Sequence, residues 1–230
     1  EPLAHASGFF FALRLTKSER GSDPLLTSEE AIVSALNFRI VQHAQPSTQG
    51  QTTEERLGER IAYQERELCR LRQAALRDPV TGGANMRCLA MAYDWIEDGD
   101  PVSMLFIDID GFRKVNDALG RDCGDAVLSA MHTEIERCLR WDDVAAREGS
   151  DRFVALLPLA IEQDAHAVGE RLRQSIERMV FQSTQGRFRL TVRVGCATRE
   201  GREPLNDLLS RADLAARGGA REGGNIVVAS

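Results

Sequence analysis

The sequence predicts an α/β (α+β) fold of the ferredoxin-like kind, with a central, mostly antiparallel sheet flanked by helices and preceded by a long helix. Two observations carry this prediction. Strand-length apolar runs alternate with helical periodicities in the order βαββαβ, and a heptad-spaced helix comes before them. The expected division is the tail of an upstream domain plus a linker at 1–50, a helical stalk at 51–77 and the α/β domain at 78–230.

Charge and composition argue against some classes of protein. The 230 residues carry 29 Lys and Arg against 35 Asp and Glu, a net charge of −6. A general DNA or RNA binder needs surplus positive charge to displace counterions, whereas a small anion needs only a local arginine cluster. No apolar run approaches the roughly 18–20 residues that cross a bilayer, so no membrane partner is expected. Five dispersed cysteines without a C-x-x-C pair predict reduced thiols and a cytoplasmic location.

The first predicted elements are a strand at 9–15 and a helix at 27–40, where a T-S-E-E capping box precedes an apolar helical stripe. One strand and one helix cannot bury a core of their own. Residues 1–43 are therefore interpreted as the tail of a truncated upstream domain, or as an element that docks elsewhere. The Gln-, Ser- and Thr-rich segment 44–53 is interpreted as a linker.

A strong helix is predicted from about 54 to 77, because one face repeats at alternating spacings of four and three. The residues of this seam are Leu57, Ile61, Gln64, Leu68, Leu71 and Ala75. A heptad seam favours a parallel dimer stalk that relays a signal, so a homodimer through 54–77 is expected. The alternative is a single amphipathic helix that packs on its own domain.

The same periodicities divide the α/β domain. The predicted elements are a buried strand at 103–108, a helix at 122–140, short strands at 144–148 and 153–157, a helix at 161–179, a half-buried alternating strand at 187–198, a helix at 205–217 and a last strand at 225–228. A Gly-Ser-Asp-Arg segment joins the two short strands as a hairpin.

Acidic residues follow the first buried strand. Asp108 and Asp110 stand two positions apart at its end, and Asp151 lies at the predicted hairpin tip. Carboxylate oxygens at such positions are suited to Mg²⁺, which also takes phosphate oxygens of a substrate. A D-x-D pair alone is equally typical of a solvated loop.

Several motifs occur in a fixed order. The run FIDIDGFRKVND at 106–117, followed by GRDCGD at 120–125, closely resembles the FDIDxFKxxND…GHxxGD stretch of GGDEF domains, the diguanylate cyclase family. Residues 78–85 resemble that family's DxLTGLxNR start, 147–153 sit at its RxGGDEF signature, and 193–195 occupy its late xSxG strand. The resemblance covers about two thirds of the chain and implies the nucleotidyl-cyclase-like GGDEF fold.

The resemblance also implies an active half-site. Asp108, the Ile109 carbonyl and Asp151 would hold Mg²⁺, while Asn116 and Asp125 would bind guanine. Two such protomers, each with one GTP, would meet face to face to make cyclic di-GMP.

The signature departs from the family pattern, because it reads Gly-Ser-Asp-Arg-Phe. Ser150 stands at the second Gly, and Arg152 stands at the acidic position. At about 4 Å and an effective dielectric near 20, one unit-charge interaction is on the order of 4 kcal/mol. The change from a negative to a positive side chain at position 152 is therefore a large electrostatic change. Arg152 is a candidate to pair with Asp108 or Asp110 and stand in for the metal cation.

A second departure lies near the C-terminus. Against the family's ADxALYxAKxxGRN run, the phosphate-binding Lys falls on Ala220 and the Arg on Gly224. Losing two cations should weaken a triphosphate site by several kcal/mol. Arg217 or Arg221 could compensate in part. Both departures predict loss of cyclase activity.

A second family site is intact in sequence. Arg140 and Asp143 fit the inhibitory RxxD motif, and Arg171 falls where the family places a supporting arginine. Arg can donate to guanine O6 and N7, and Asp can accept from the guanine N–H groups. The alternative is that Arg140 complements a helix C-terminus and that Asp143 caps a turn.

The expected function is that of a catalytically inactive GGDEF domain that acts as a cyclic di-GMP receptor. No cofactor is required, and Mg²⁺ matters only if cyclase activity persists. The alternatives are a weakly active diguanylate cyclase, or a GTP-binding scaffold that regulates an adjoining EAL-type phosphodiesterase or another signalling protein.

Overall fold

A computed structural model describes residues 53–221 and 223–230. The strand at 9–15, the helix at 27–40 and the linker all lie outside the described residues. The chain divides into two compact units, Glu1–Ala75 and Leu76–Ser230, each of which is described by itself.

The first unit contributes helix α1, Thr53–Leu76, which confirms the predicted helix. Its seam residues Leu57, Ile61, Leu68 and Leu71 are 48–60% exposed, an unusual state for large apolar side chains on a helix. No helix within 53–221 or 223–230 is both long enough and apolar enough to cross a bilayer.

The second unit alternates strands and helices. Its elements are β1 (Ala84–Asn85), α2 (Met86–Asp94), β2 (Val102–Ile109), α3 (Phe112–Leu119), α4 (Arg121–Cys138), β3 (Val144–Arg147), β4 (Arg152–Pro158), α5 (Glu162–Arg178), β5 (Phe181–Ser183), β6 (Gly186–Phe188), β7 (Val192–Thr198), α6 (Leu205–Arg221) and β8 (Val227–Ala229). The sequence patterns did not predict β1, α2, α3 or the hairpin of β5 and β6.

The main sheet has six strands in the order β1-β3-β4-β2-β7-β8. Its four central strands pair antiparallel, and the edge strands β1 and β8 pair parallel with their neighbours. The predicted α/β fold with a mostly antiparallel sheet is thus confirmed. Strand β2 lies between β4 and β7 and is buried along nearly its whole length.

The prediction of one half-buried strand at 187–198 is wrong in two respects. The segment is divided between β6, which pairs with β5 in a separate two-stranded sheet, and β7, which joins the main sheet. Moreover, β7 is almost wholly buried. Alternation along the sequence could not reveal this, because small residues such as Gly195 make the second face of β7 a packing surface as well.

Glycines allow helices to contact both faces of β7. A Cβ on Gly195 would lie 2.0 Å from the Ala212 carbonyl oxygen of α6. A Cβ on Gly169 of α5 would lie within 3.5 Å of Val194 and Cys196, which face the opposite side of the strand. Strand β7 is therefore enclosed between α5 and α6, with backbone nearly touching backbone on the α6 side.

Asp78 ties the start of the domain to the β3–β4 hairpin. Its Oδ1 accepts from the backbone and hydroxyl of Thr81 at 2.9 and 3.0 Å and from Arg147 at 3.1 Å. Arg147 also donates to the Ser150 carbonyl at 3.1 Å. Burial alone would raise the pKa of Asp78, but hydrogen bonds from Thr81 and the charge of Arg147 hold that pKa below its ordinary value of 3.8.

We expect Gly195→Ala to lower the free energy of unfolding by about 1–3 kcal/mol, because the new methyl group must push α6 away from β7. Urea unfolding followed by circular dichroism measures this. Gly218→Ala, in helix α6, is the matched control, because a Cβ at this position would meet no atom within 4 Å. It should raise stability by about 0.5–1 kcal/mol through helix propensity. Equal effects of the two substitutions would contradict the close packing.

Candidate functional site

Strand β2 and the residue after it place two carboxylates on one face of the sheet. Asp108 and Asp110 are two residues apart, so both point to the same side. The strand ends at Ile109, and Gly111 then adopts a left-handed conformation, with φ of 69°, as α3 begins.

The β3–β4 hairpin brings Asp151 to the same place. Asp108 is paired with Arg152 in the sheet, and the Ile109 amide donates to the Asp151 carbonyl at 3.1 Å. The structure therefore brings together Asp108, Ile109 and Asp151, as the family resemblance implies. Ser150 adds a contact that glycine could not make, because its hydroxyl lies 2.7 Å from Asp151 Oδ1.

Arg193 bridges the two carboxylates of β2. It is paired with Asp108 in the neighbouring strand β7, so both side chains face the same side. Its Nη2 donates to Asp108 Oδ2 at 2.5 Å and its Nη1 to Asp110 Oδ1 at 2.7 Å. Burial raises the pKa of Asp108, and the Arg193 charge opposes that rise. The sequence analysis missed this role, although Arg193 falls at the Ser of the family's xSxG motif.

The expectation that Arg152 pairs with Asp108 or Asp110 is wrong. Its Nε lies 2.8 Å from a carboxylate oxygen of Glu148, and its guanidinium lies over the Phe106 ring, 5.7 Å from the centroid. Glu148 stands at the other side of the same hairpin and is the nearer acid, while Arg193 already neutralises the β2 carboxylates. Burial raises the pKa of Glu148, and Arg152 opposes that rise.

The C-terminal segment closes over Asp110. A Cβ on Gly224 would lie 2.8 Å from the Asp110 carboxylate oxygens, and the Asn225 amide donates to Asp110 Oδ2 at 3.0 Å. Thr191 donates to the same oxygen at 2.7 Å. The side chain of Ala220 lies outside the described residues.

Of the two arginines proposed to compensate, Arg217 is described in full. Its Nη2 lies 2.6 Å from Asp213, one turn earlier in α6. The hydrogen bond that Arg217 donates to Asp213 raises the pKa of Arg217, with smaller contributions from the charges of Asp108 and Glu148, so Arg217 lies within electrostatic reach of these acids. The side chain of Arg221 is outside the described residues.

The two guanine-binding candidates also lie together. Asn116 projects from α3 against α4, where a Cβ on Gly124 would lie 1.9 Å from the Asn116 Oδ1 atom. Asp125 is the next residue of α4 and is exposed. A side chain at position 124 would displace the Asn116 amide from this position.

The three residues of the second family site gather at the C-terminus of α4. Arg171 of α5 donates through Nε and Nη2 to the Cys138 carbonyl, at 3.1 and 2.5 Å. Asp143 is 4% exposed, and its Oδ2 accepts from the Arg140 amide at 2.6 Å. Asp143 therefore caps the turn that presents Arg140, which is itself exposed, as is Trp141 beside it. We call Arg140, Asp143 and Arg171 the arginine patch.

The residues present do not fit a divalent metal. Four of the six carboxylate oxygens of Asp108, Asp110 and Asp151 already accept hydrogen bonds from protein donors. Magnesium demands near-octahedral oxygen ligation at about 2.0–2.1 Å, which a guanidinium spanning two of those acids obstructs.

Comparison with known proteins identifies the family. The family model described as diguanylate cyclase, GGDEF domain, matches residues 75–225. The diguanylate cyclase DgcM of Escherichia coli K12 is 34% identical over 182 residues, which are 74% of this chain and 42% of DgcM. The response regulator PleD of Caulobacter vibrioides is 33% identical over 164 residues, 68% of this chain and 36% of PleD. The chain thus spans about two fifths of the length of these relatives.

Solved structures give the same result. The coiled coil and GGDEF domain of DgcB from Caulobacter crescentus, solved in complex with c-di-GMP, matches with a TM-score of 0.68 and 28% identity. The match covers 78% of this chain and all of that one. With its ordered motifs, its sheet topology and these matches, the chain belongs to the diguanylate cyclase GGDEF domain family.

Proposed function

We propose that this chain is a catalytically inactive GGDEF domain that acts as a cyclic di-GMP receptor in second-messenger signalling, and that its place of action is the cytoplasm. The observation that carries the proposal is the arginine patch: Arg171 is fixed on the Cys138 carbonyl, two residues before Arg140, on one exposed surface. Two guanidinium groups so close together would suit a ligand with two phosphates and two guanines.

The chemistry of the patch suits that ligand. Arg140 can donate in a bidentate manner to guanine O6 and N7, and either arginine can stack on a purine or neutralise a phosphate. Asp143 acts mainly by holding the Arg140 backbone, because it is buried and engaged with that amide. A stacked pair of ligand molecules would bridge this patch to a second surface. The c-di-GMP complex of DgcB, a structure 28% identical to this chain, supports this ligand class.

The residues of the other site support inactivity as a cyclase. Arg193 engages both acids of β2, Ser150 engages Asp151, and the family's phosphate-binding cations are absent at Ala220 and Gly224. A triphosphate would meet carboxylates without the metal and the cations that offset its charge.

A second candidate function is GTP binding that regulates an adjoining phosphodiesterase domain, such as an EAL domain. The position of Asn116 against Gly124, the residue before Asp125, favours it, because Asn116 and Asp125 could still bind a guanine without turnover.

The exposed seam of α1 supports a homodimer through this helix. Four large apolar side chains at heptad spacing are about half exposed or more, and burying them against a second copy is favourable. Binding of cyclic di-GMP would then change how the domain packs on a partner or on the stalk.

Isothermal titration should detect cyclic di-GMP binding to the wild-type chain. Arg140→Ala should weaken it by about 1.5–3 kcal/mol, roughly ten- to hundredfold in Kd, because charge-assisted hydrogen bonds are lost. Arg137→Ala is the matched control, since Arg137 stands in the last turn of α4, is 73% exposed and pairs with Glu134. Its Kd should stay within about twofold. Absence of binding heat, or an unchanged Kd in Arg140→Ala, would refute the receptor role.

Incubation with GTP and Mg²⁺ should yield no cyclic di-GMP by chromatography. Product that forms with the wild type and vanishes in Asp108→Ala would show an active cyclase instead. Titration with GTP alone distinguishes the second candidate function from the first. GTP binding that weakens in Asn116→Ala would favour the GTP-binding function over the cyclic di-GMP receptor.

Light scattering coupled to gel filtration should show a dimer for the wild type. Leu68→Glu should give a monomer, because it places a charge in the seam. Tyr63→Glu lies off the seam on the same helix and is 63% exposed, so it should remain dimeric. A monomeric wild type would support the single-helix alternative.

A further inference from the structure

The bridge made by Arg193 occupies the place where a cation would be expected. Its planar guanidinium contacts one oxygen of Asp108 and one of Asp110, with side-chain exposures of 21, 16 and 20% for Arg193, Asp108 and Asp110. An arginine can span two carboxylates because its donors are spread across a rigid fork. A metal ion placed between the same acids would need the same two oxygens.

The bridge is also fixed from both sides. Asp110 is held by Thr191 and by the Asn225 amide on its other oxygen, so it cannot swing away to admit an ion without losing both bonds. Asp108 is held by the pairing of β2 with β7, which places it directly opposite Arg193. Displacing the guanidinium would leave a partly buried charge without partners, which is costly.

The other arginines near these acids do not perform the same task. Arg152 pairs with Glu148, and Arg217 pairs with Asp213. Within residues 53–221 and 223–230, Arg193 is the side chain that forms salt bridges to the two acids of β2.

We propose that Arg193 is a tethered cation that takes the place of a divalent metal, so that Asp108 and Asp110 form a metal-independent structural clamp between β2, β7 and the segment after α6. The clamp stabilises the domain through this charge and excludes Mg²⁺ or Mn²⁺ from the acids. It stands independently of the arginine patch.

The test measures metal binding and stability, and needs no activity. In Mn²⁺ titrations followed by electron paramagnetic resonance, the wild type should show no binding at these acids, and its Tm should be unchanged by millimolar Mn²⁺. Arg193→Ser should lower the Tm without metal, regain part of it with Mn²⁺, and bind Mn²⁺ at least about tenfold more tightly than the wild type. Adding Asp108→Asn to that variant should abolish the gain.

Two further variants keep the test decisive. Arg187→Ser removes the same charge from an exposed position of β6, and it should alter neither Tm nor Mn²⁺ binding. Arg193→Lys keeps the charge without the fork; it should fold, with a Tm between those of the wild type and Arg193→Ser, and still exclude Mn²⁺. The proposal is overturned by wild-type Mn²⁺ binding that Asp108→Asn removes. It is equally overturned by an Arg193→Ser variant that folds without any metal response, or by Mn²⁺ binding to Arg193→Lys as tight as to Arg193→Ser.

Discussion

The register of β2 between β4 and β7 places the charged groups on which the character of this domain depends. Asp108 is paired with Arg152 on one side and with Arg193 on the other, so the three side chains leave the same face of the sheet. A slip of one residue would turn Asp108 to the opposite face of the sheet and would bring its apolar neighbours to the charged face instead. Because β2 is buried on both faces, such a slip is strongly disfavoured, and the acids are as firmly placed as the sheet itself.

The fixed positions of these side chains decide which arginine pairs with which carboxylate. Arg193 pairs with the acids of β2, Arg152 with Glu148 and Arg217 with Asp213. Partly buried pairs interact more strongly than solvated ones, but each arginine committed to a carboxylate is one less available for a phosphate. The negative charge of the face that could have bound a nucleotide with its metal ion is thus neutralised largely by arginines of the protein itself.

Sequence patterns predicted the major strands and helices because their apolar spacing reports burial directly. They missed α3, and they missed α2, whose Asn85 cap accepts from the amides of Arg87 and Cys88. They also missed β1, β5 and β6, which have only two or three residues and are too short for a period to register. The alternation of polar and apolar residues indicated that Arg193 faces solvent, because the sequence of one strand does not show which residues of the neighbouring strand lie beside it. Pairing of Arg152 with Glu148 depends on side-chain direction, which adjacency in sequence does not fix. The site residues from distant motifs were grouped only by family resemblance, because spacing alone cannot bring Arg140 to Arg171.

The cluster of Asp108, Asp110 and Arg193 and the arginine patch lie at different levels of the sheet. Asp108 is paired with Arg152, while Val144, which follows the patch residue Asp143, is paired with Leu156, four positions further along β4. At roughly 3.3 Å per residue this is about 13 Å, beyond the Debye length of about 8 Å at physiological salt, so direct electrostatic influence is weak. Packing offers a continuous route, since Gly169 stands two residues before Arg171 in α5 and a Cβ there would lie 3.5 Å from Val194, the neighbour of Arg193. Contact alone does not make a switch, however, because coupling requires an element with two arrangements that both sites bias. The close packing of β7 between α5 and α6 favours one arrangement. A receptor of this kind would therefore signal through the surface that its ligand bridges, rather than through Asp108 and Asp110.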